Sequence, residues 1–134
     1  MKRAVVNPPS VYQTVRFGFS QAVEQNASRS LHISGQVAWD REYKLVGSGD
    51  VAAQARQALA NIKDILASKG ATPADVVRLR VYVVGYAPDK LEAFGPEIAA
   101  FFGSAEPAAS TLIGVQALAR PEFLIEIEAD AALD

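Results

Sequence analysis

The 134-residue chain contains no cysteine and a single histidine, His32. The first absence excludes disulfides, thiolate nucleophiles and cysteine-based zinc sites, and one histidine is too few for a histidine-based metal site. No apolar stretch approaches the roughly 20 residues a membrane-spanning helix needs. The most hydrophobic segment, residues 76–84, is interrupted by Arg78 and Arg80. Runs of Lys or Arg are also missing, and 13 basic against 15 acidic residues give a net charge of −2, which argues against a surface built for nucleic acid. The first ten residues carry Lys2 and Arg3 but then Asn7, Pro8 and Pro9 in place of an apolar core, so no secretory signal is expected and the cytoplasm is the expected compartment. No motif calls for a cofactor, and none is expected.

Half of the residues are hydrophobic, no linker divides the chain, and no repeat recurs along it. One domain over residues 1–134 is expected, large enough to bury about two thirds of its unfolded surface. Alternation of Val15, Phe17 and Phe19 with Thr14, Arg16, Gly18 and Ser20 predicts an extended segment within residues 11–24. A turn at residues 26–29 and a second extended run at 30–37 then suggest a hairpin or meander. Asp50 is a plausible N-cap for the helix expected at residues 50–69, where Val51, Ala55, Ala58, Leu59, Ile62, Ile65 and Leu66 share one face and Gln54 falls largely elsewhere. Gly70 supplies its stop signal. Residues 76–84 read as a strand with Val77, Leu79, Val81 and Val83 on one side and Arg78, Arg80 and Tyr82 on the other. Gly95 and Pro96 favour a turn at 91–94 and a short helix starting at Pro96. Residues 110–118 and 123–131 read as closing strands, the last with Ile125, Ile127 and Ala129 opposite Glu126 and Glu128.

This order predicts an α+β layer structure with two helices on one face of a sheet. The second sheet face, rich in Arg and Glu and with Phe17 and Phe19 if register allows, is either solvated or packed on another subunit. Glu126 is either a water-orienting base or one of two carboxylates pairing with Arg78 and Arg80. Arg56 reads as a snorkelling or helix-capping contact, His32 as a half-exposed strand residue, and Gly47-Ser48-Gly49 as a turn lacking the Lys of a phosphate-binding loop.

Three segments in order, Ser34-Gly35-Gln36, the run from Asp50 to Leu59 with Asn61-Ile62, and Pro107-Ala108 with Ser110-Thr111 and Ile125-Glu126-Ile127-Glu128-Ala129, resemble the YjgF/RidA (reactive intermediate deaminase, L-PSP) family. Gly70, Asp75-Val76-Val77 and Val81-Tyr82-Val83 fit the same pattern, so the resemblance runs from about Phe17 to Ala129. It implies a chorismate-mutase-like α+β fold, a mixed β-sheet with two helices packed on one face, assembled as a homotrimer with the sheets inward and small-metabolite clefts between subunits. Family deaminases hydrolyse a 2-imino or enamine acid there to a 2-keto acid and ammonia. Arg78, Arg80, Glu126 and Glu128 become candidates for inter-subunit ion pairs.

Residue by residue, the resemblance implies Glu126 beside the attacking water, with the backbone of Gly35 and Thr111 lining the cleft; by residue type, Ser110 and Thr111 either donate to a ligand oxygen or are ordinary residues at a strand start. Phe19 stands where a Tyr often sits. The family's carboxylate-binding Arg follows its Pro-Ala pair; here Ala109 occupies that place. A bidentate Arg–carboxylate contact of this kind is worth roughly 1.5–3 kcal/mol. Arg16, Arg80 or Arg120 must reach in to replace it, or the ligand differs. The expected ligand is a small carboxylate-containing or apolar metabolite, the expected partner a second and third copy of the chain, and the alternative reading a non-catalytic ligand-binding or chaperone-like trimer.

Overall fold

A computed structural model describes residues 2–134. A two-stranded antiparallel ribbon, β1 (Arg3–Val6) with β2 (Ala22–Gln25), stands apart from a four-stranded sheet. The sheet contains β3 (Arg29–Gln36), β4 (Val76–Val84), β5 (Ala109–Val115) and β6 (Ile125–Leu133), in the spatial order β3-β6-β4-β5. Only β4 and β5 run parallel, so the sheet is mixed. Helices α1 (Val51–Ala67) and α2 (Pro88–Phe102) pack on one of its faces.

Helix α1 starts where the sequence places it. The Asp50 side chain accepts from the Ala53 amide at 3.0 Å, satisfying a first-turn donor that has no helical partner. Ala55, Ala58, Leu59, Ile62 and Leu66 are buried against the sheet, and each of the three larger side chains contributes about 1.5–3 kcal/mol by leaving water. Gln54, expected off the apolar face, is instead fully buried. Its Nε2 donates to the carbonyls of Gly47 (3.1 Å) and Glu122 (3.0 Å), and its Oε1 accepts from the Leu124 amide (2.9 Å). The residue therefore ties the loop before α1 to the segment before β6, a long-range bond that helical spacing cannot reveal. Arg56 neither snorkels nor caps: it makes a two-pronged ion pair with Glu97 of α2, at 2.7 and 3.1 Å.

Four expectations are corrected. The segment 11–20 is not a strand, because Thr14 organises a short 3-10 turn at Val15–Phe17: its carbonyl accepts from the Phe17 amide and its hydroxyl donates to the Phe19 carbonyl. Gly18 follows at φ 93°, backbone that a β-branched residue would resist. The expected hairpin is replaced by exchange of partners, since β2 pairs with β1 and β3 with β6. Helix α2 runs unbroken through Pro96; Gly95, lacking a Cβ, relieves the clash that proline imposes on the residue before it. In β4 a register shift between Val76 and Arg78 buries Val76 and leaves Val77 only partly covered.

Leu79, Val81 and Val83 of β4 and Ile125, Ile127 and Ala129 of β6 form the core beneath the helices, as their alternation predicts. Among the described residues, no helix is long and apolar enough to cross a membrane.

Candidate functional site

Strand pairing sorts the side chains of the open sheet face into three rows. Positions directly opposite one another in a sheet share a face. One row holds His32, Asp130, Arg78 and Ala109; the next holds Glu128, Arg80 and Thr111; the third holds Glu126, Tyr82 and Ile113. Carboxylates from β6 thus alternate with guanidinium groups from β4 across this surface.

The three acids of β6 differ in what holds them. Asp130 lies 2.8 Å from Nδ1 of His32. Glu128 accepts a short hydrogen bond from the Tyr82 hydroxyl and pairs with Arg80 at 3.6 Å. That hydrogen bond is the chief reason the Tyr82 phenol is pushed above its ordinary pKa, assisted by partial burial and the nearby negative charge. Among the described residues Glu126 has neither an ion pair nor a side-chain hydrogen bond. Its carboxylate instead reaches over Gly35, at the irregular end of β3 where pairing shifts between Ile33 and Gln36. A β-carbon placed on Gly35 would lie 2.0 Å from Glu126 Oε2 and 2.7 Å from Cδ, so this glycine is required for the position of the carboxylate.

The other expected site residues lie at the far edge of the sheet. Ser20 bridges to Ala109, its amide donating to the Ala108 carbonyl at 3.0 Å and its hydroxyl to the Pro107 carbonyl at 2.6 Å. This holds the Phe19 segment beside β5. Phe19 and Ser110 then line a cavity of about 380 Å³ together with Phe17, Leu91, Ile98 and Leu112. Phe17 and Phe19 are therefore not on the open face, the 3-10 turn having swung them toward α2. Thr111 and Ala109 share the open face with Glu126 but sit on a different strand, two strands away.

Within one chain, then, the candidate residues form two groups: Gly35 with Glu126 on the open face, and, at the far edge, Ala109 and Thr111 on the same face with Phe19 and Ser110 in the cavity on the α2 side. Four strand spacings of about 4.8 Å separate the Phe19 segment from β3, roughly 19 Å in all. Of the replacement cations considered, Arg80 stands opposite Thr111 but is engaged by Glu128. Arg16 stacks on the Phe17 ring at 4.6 Å, whereas Arg120 stacks on Trp39 at 5.2 Å. Arg78, directly opposite Ala109, is exposed and without an ion pair among the described residues. Tyr82, Leu91 and Leu112 carried no role in the sequence reading. Tyr82 was visible in the strand alternation, but the cavity residues were not, because they meet only once the 3-10 turn forms. Among the described residues no group of three or more His, Asp or Glu is arranged to hold a metal ion.

The sequence model of a family described as endoribonuclease L-PSP matches residues 13–133. A RutC family protein of Pyrococcus horikoshii is 34% identical over 113 residues, 84% of this chain and 85% of that protein. A protein of Dermatophagoides farinae named 2-iminobutanoate/2-iminopropanoate deaminase is 28% identical over 116 residues, 87% of this chain and 86% of its own length. Among solved structures, the Rid-family protein YyfB of Yersinia pestis superposes with a TM-score of 0.96 at 58% identity, covering 99% of this chain and all of that one. With its α+β fold, mixed sheet and family pattern all matched over nearly the full length, this chain belongs to the Rid/YjgF (L-PSP) family.

Proposed function

We propose that the protein is a cytoplasmic homotrimer of single-domain protomers that hydrolyses a small imine or enamine acid in clefts between its subunits. The observation that carries this reading is the state of Glu126: of the three acids on β6 it alone lacks a partner among the described residues, and it is held over a glycine. A carboxylate retained only for sheet stability would be expected to pair, as its two neighbours do. Within one chain Glu126 and Thr111 stand two strand spacings, roughly 10 Å, apart on the open face, and this gap is bridged when Gly35 and Glu126 of one subunit face Ala109 and Thr111 of the next, with Phe19 and Ser110 at the adjoining sheet edge.

In such a cleft Glu126 takes a proton from water as its oxygen adds to the imine carbon. The proton passes to nitrogen, the carbon–nitrogen bond breaks, and the products are ammonia and a carbonyl compound. An imine carbon is already electrophilic, so orienting the water and moving its proton are the main tasks. The Dermatophagoides farinae relative, named as a deaminase, supports the reaction class. Ammonia release from 2-imino acids generated in situ tests it. Wild type should exceed buffer and Glu126→Ala should not; equal rates for the two proteins would remove Glu126 from the mechanism.

A second reading rests on Ala109 and Phe19, which supply neither a guanidinium nor a hydroxyl to the cleft. It makes the trimer a binder of small acids without turnover, and it is favoured if ammonia release is absent while a ligand raises the melting temperature. Ribonuclease action, suggested by the family's description, finds little support in a chain with net charge −2 whose single histidine is hydrogen-bonded to Asp130.

A further inference from the structure

Strand β6 lies between β3 and β4, and two of its open-face acids lean in opposite directions. Glu126 reaches toward β3, over Gly35; Glu128 reaches toward β4, where it accepts from the Tyr82 hydroxyl and pairs with Arg80 at 3.6 Å. The register makes one of these partners unexpected. Tyr82 stands directly opposite Glu126, and Arg80 directly opposite Glu128. Directly opposed β-carbons in an antiparallel pair lie about 4.5–5.5 Å apart, and diagonal ones about 7–8 Å. Tyr82 thus passes over its nearest carboxylate and donates to the diagonal one. The ionisable groups that face Glu126 from the sheet are Tyr82, Arg80 and Glu128. On its other flank β3 contributes Ser34, Gly35 and Gln36, and β5 places Ile113 in the same row, none of which titrates.

We infer that Glu128 is a positioning residue for Glu126: by engaging both the Tyr82 hydroxyl and the Arg80 guanidinium, it keeps the donors of β4 away from Glu126 and leaves that carboxylate free to accept from water. A donor bound to a carboxylate stabilises its charged form, weakens it as a base, and occupies the lone pairs that an attacking water needs. Tyr82 is a ready competitor for those lone pairs. Its hydrogen bond to Glu128 first, then partial burial and the charges of Glu128 and Glu126, push the phenol above its ordinary pKa, so it remains a donor at neutral pH. On the opposite flank, the missing β-carbon of Gly35 supplies the space into which the Glu126 carboxylate turns. A glycine on one side and a competing acceptor on the other therefore isolate this one acid. The inference rests on the reading of Glu126 as the water-activating base, but the arrangement of donors is tested without turnover.

A crystal structure of the full-length Glu128→Ala protein, with ammonia release measured across a pH series, tests it. In that variant the Tyr82 hydroxyl or the Arg80 guanidinium should lie within about 3.2 Å of a Glu126 oxygen. Turnover should fall about tenfold, the equivalent of one charge-assisted hydrogen bond that water must displace, and the acidic limb of the pH–rate profile should move to lower pH. Adding Tyr82→Phe and Arg80→Met removes the released donors and should restore turnover to within about threefold of wild type, a coupling that a merely structural Glu128 would not show. Glu128→Gln, which keeps the shape but loses the charge that holds Arg80, serves the same comparison if the alanine variant melts early. A Glu126 carboxylate still without a protein donor in the Glu128 variant, unchanged turnover and pH profile, or a triple variant slower than the single one would overturn the inference. Capture of Glu126 by Tyr82 or Arg80 in the variant, with no ammonia release by wild type, would uphold the arrangement of donors while removing the hydrolytic reading.

Discussion

Replacing Gly35 with alanine tests whether the placement of Glu126 matters to function or only to packing. The new methyl would begin 2.0 Å from Oε2, where ordinary contact requires at least about 3.4 Å, so the carboxylate must retreat by roughly 1.4 Å or turn to another rotamer. Gly35 does not have a left-handed backbone, so alanine introduces no backbone strain of its own. The obstructing atoms are the far end of a flexible, partly exposed side chain, and the cost to folding should stay below about 1 kcal/mol, roughly 3–5 °C in Tm at this chain length. A displacement of about 1 Å at a group that orients a reacting water typically costs on the order of a hundredfold in rate. Ammonia release by Gly35→Ala should therefore fall about a hundredfold with a nearly unchanged melting curve. Combining it with Glu126→Ala should produce no further loss, because both substitutions remove one arrangement. Wild-type turnover by a folded Gly35→Ala protein would refute the reasoning.

Gln54→Leu keeps the side-chain volume but orphans the buried carbonyls of Gly47 and Glu122 and the amide of Leu124; urea unfolding should show a loss of about 2–4 kcal/mol with an unchanged m value. Arg56→Met breaks the ion pair between the two helices, yet the pair is largely exposed and should lower Tm far less than Gln54→Leu does. The Arg56 hydrogen bond and charge hold the Glu97 carboxyl below its ordinary pKa of 4.5. The resulting stabilisation is present above that value and disappears as pH falls through the lower folded value, so the Tm difference between wild type and Arg56→Met should shrink below pH 4.5.

Local periodicity was enough for the elements whose partners lie along their own chain direction. Helix α1 and strand β4 fall where spacing puts them, because an apolar stripe and a strict alternation each have one geometric solution. The segment around Val15, Phe17 and Phe19 alternates just as well, yet Thr14 captures the backbone with hydrogen bonds that a hydropathy pattern does not encode. Strand β1 escaped notice because four residues, Arg3–Val6, offer too little pattern, and its anchor is the buried Arg3 guanidinium bonded to the Val76 carbonyl at 2.8 Å, 73 residues away. Of the candidate site, Glu126 and Gly35 were legible through family resemblance, and their mutual contact required the structure. The cavity beneath Phe19 was not legible, since its walls come from three elements that the sequence alone does not bring together.

Sedimentation velocity of the purified protein at micromolar concentration tests the central claim most directly, because the proposed hydrolysis requires neighbouring subunits to unite the two groups of candidate residues. A single boundary at three times the mass of one chain is predicted. A stable species with the mass of one chain would leave the open sheet face in water and contradict the account.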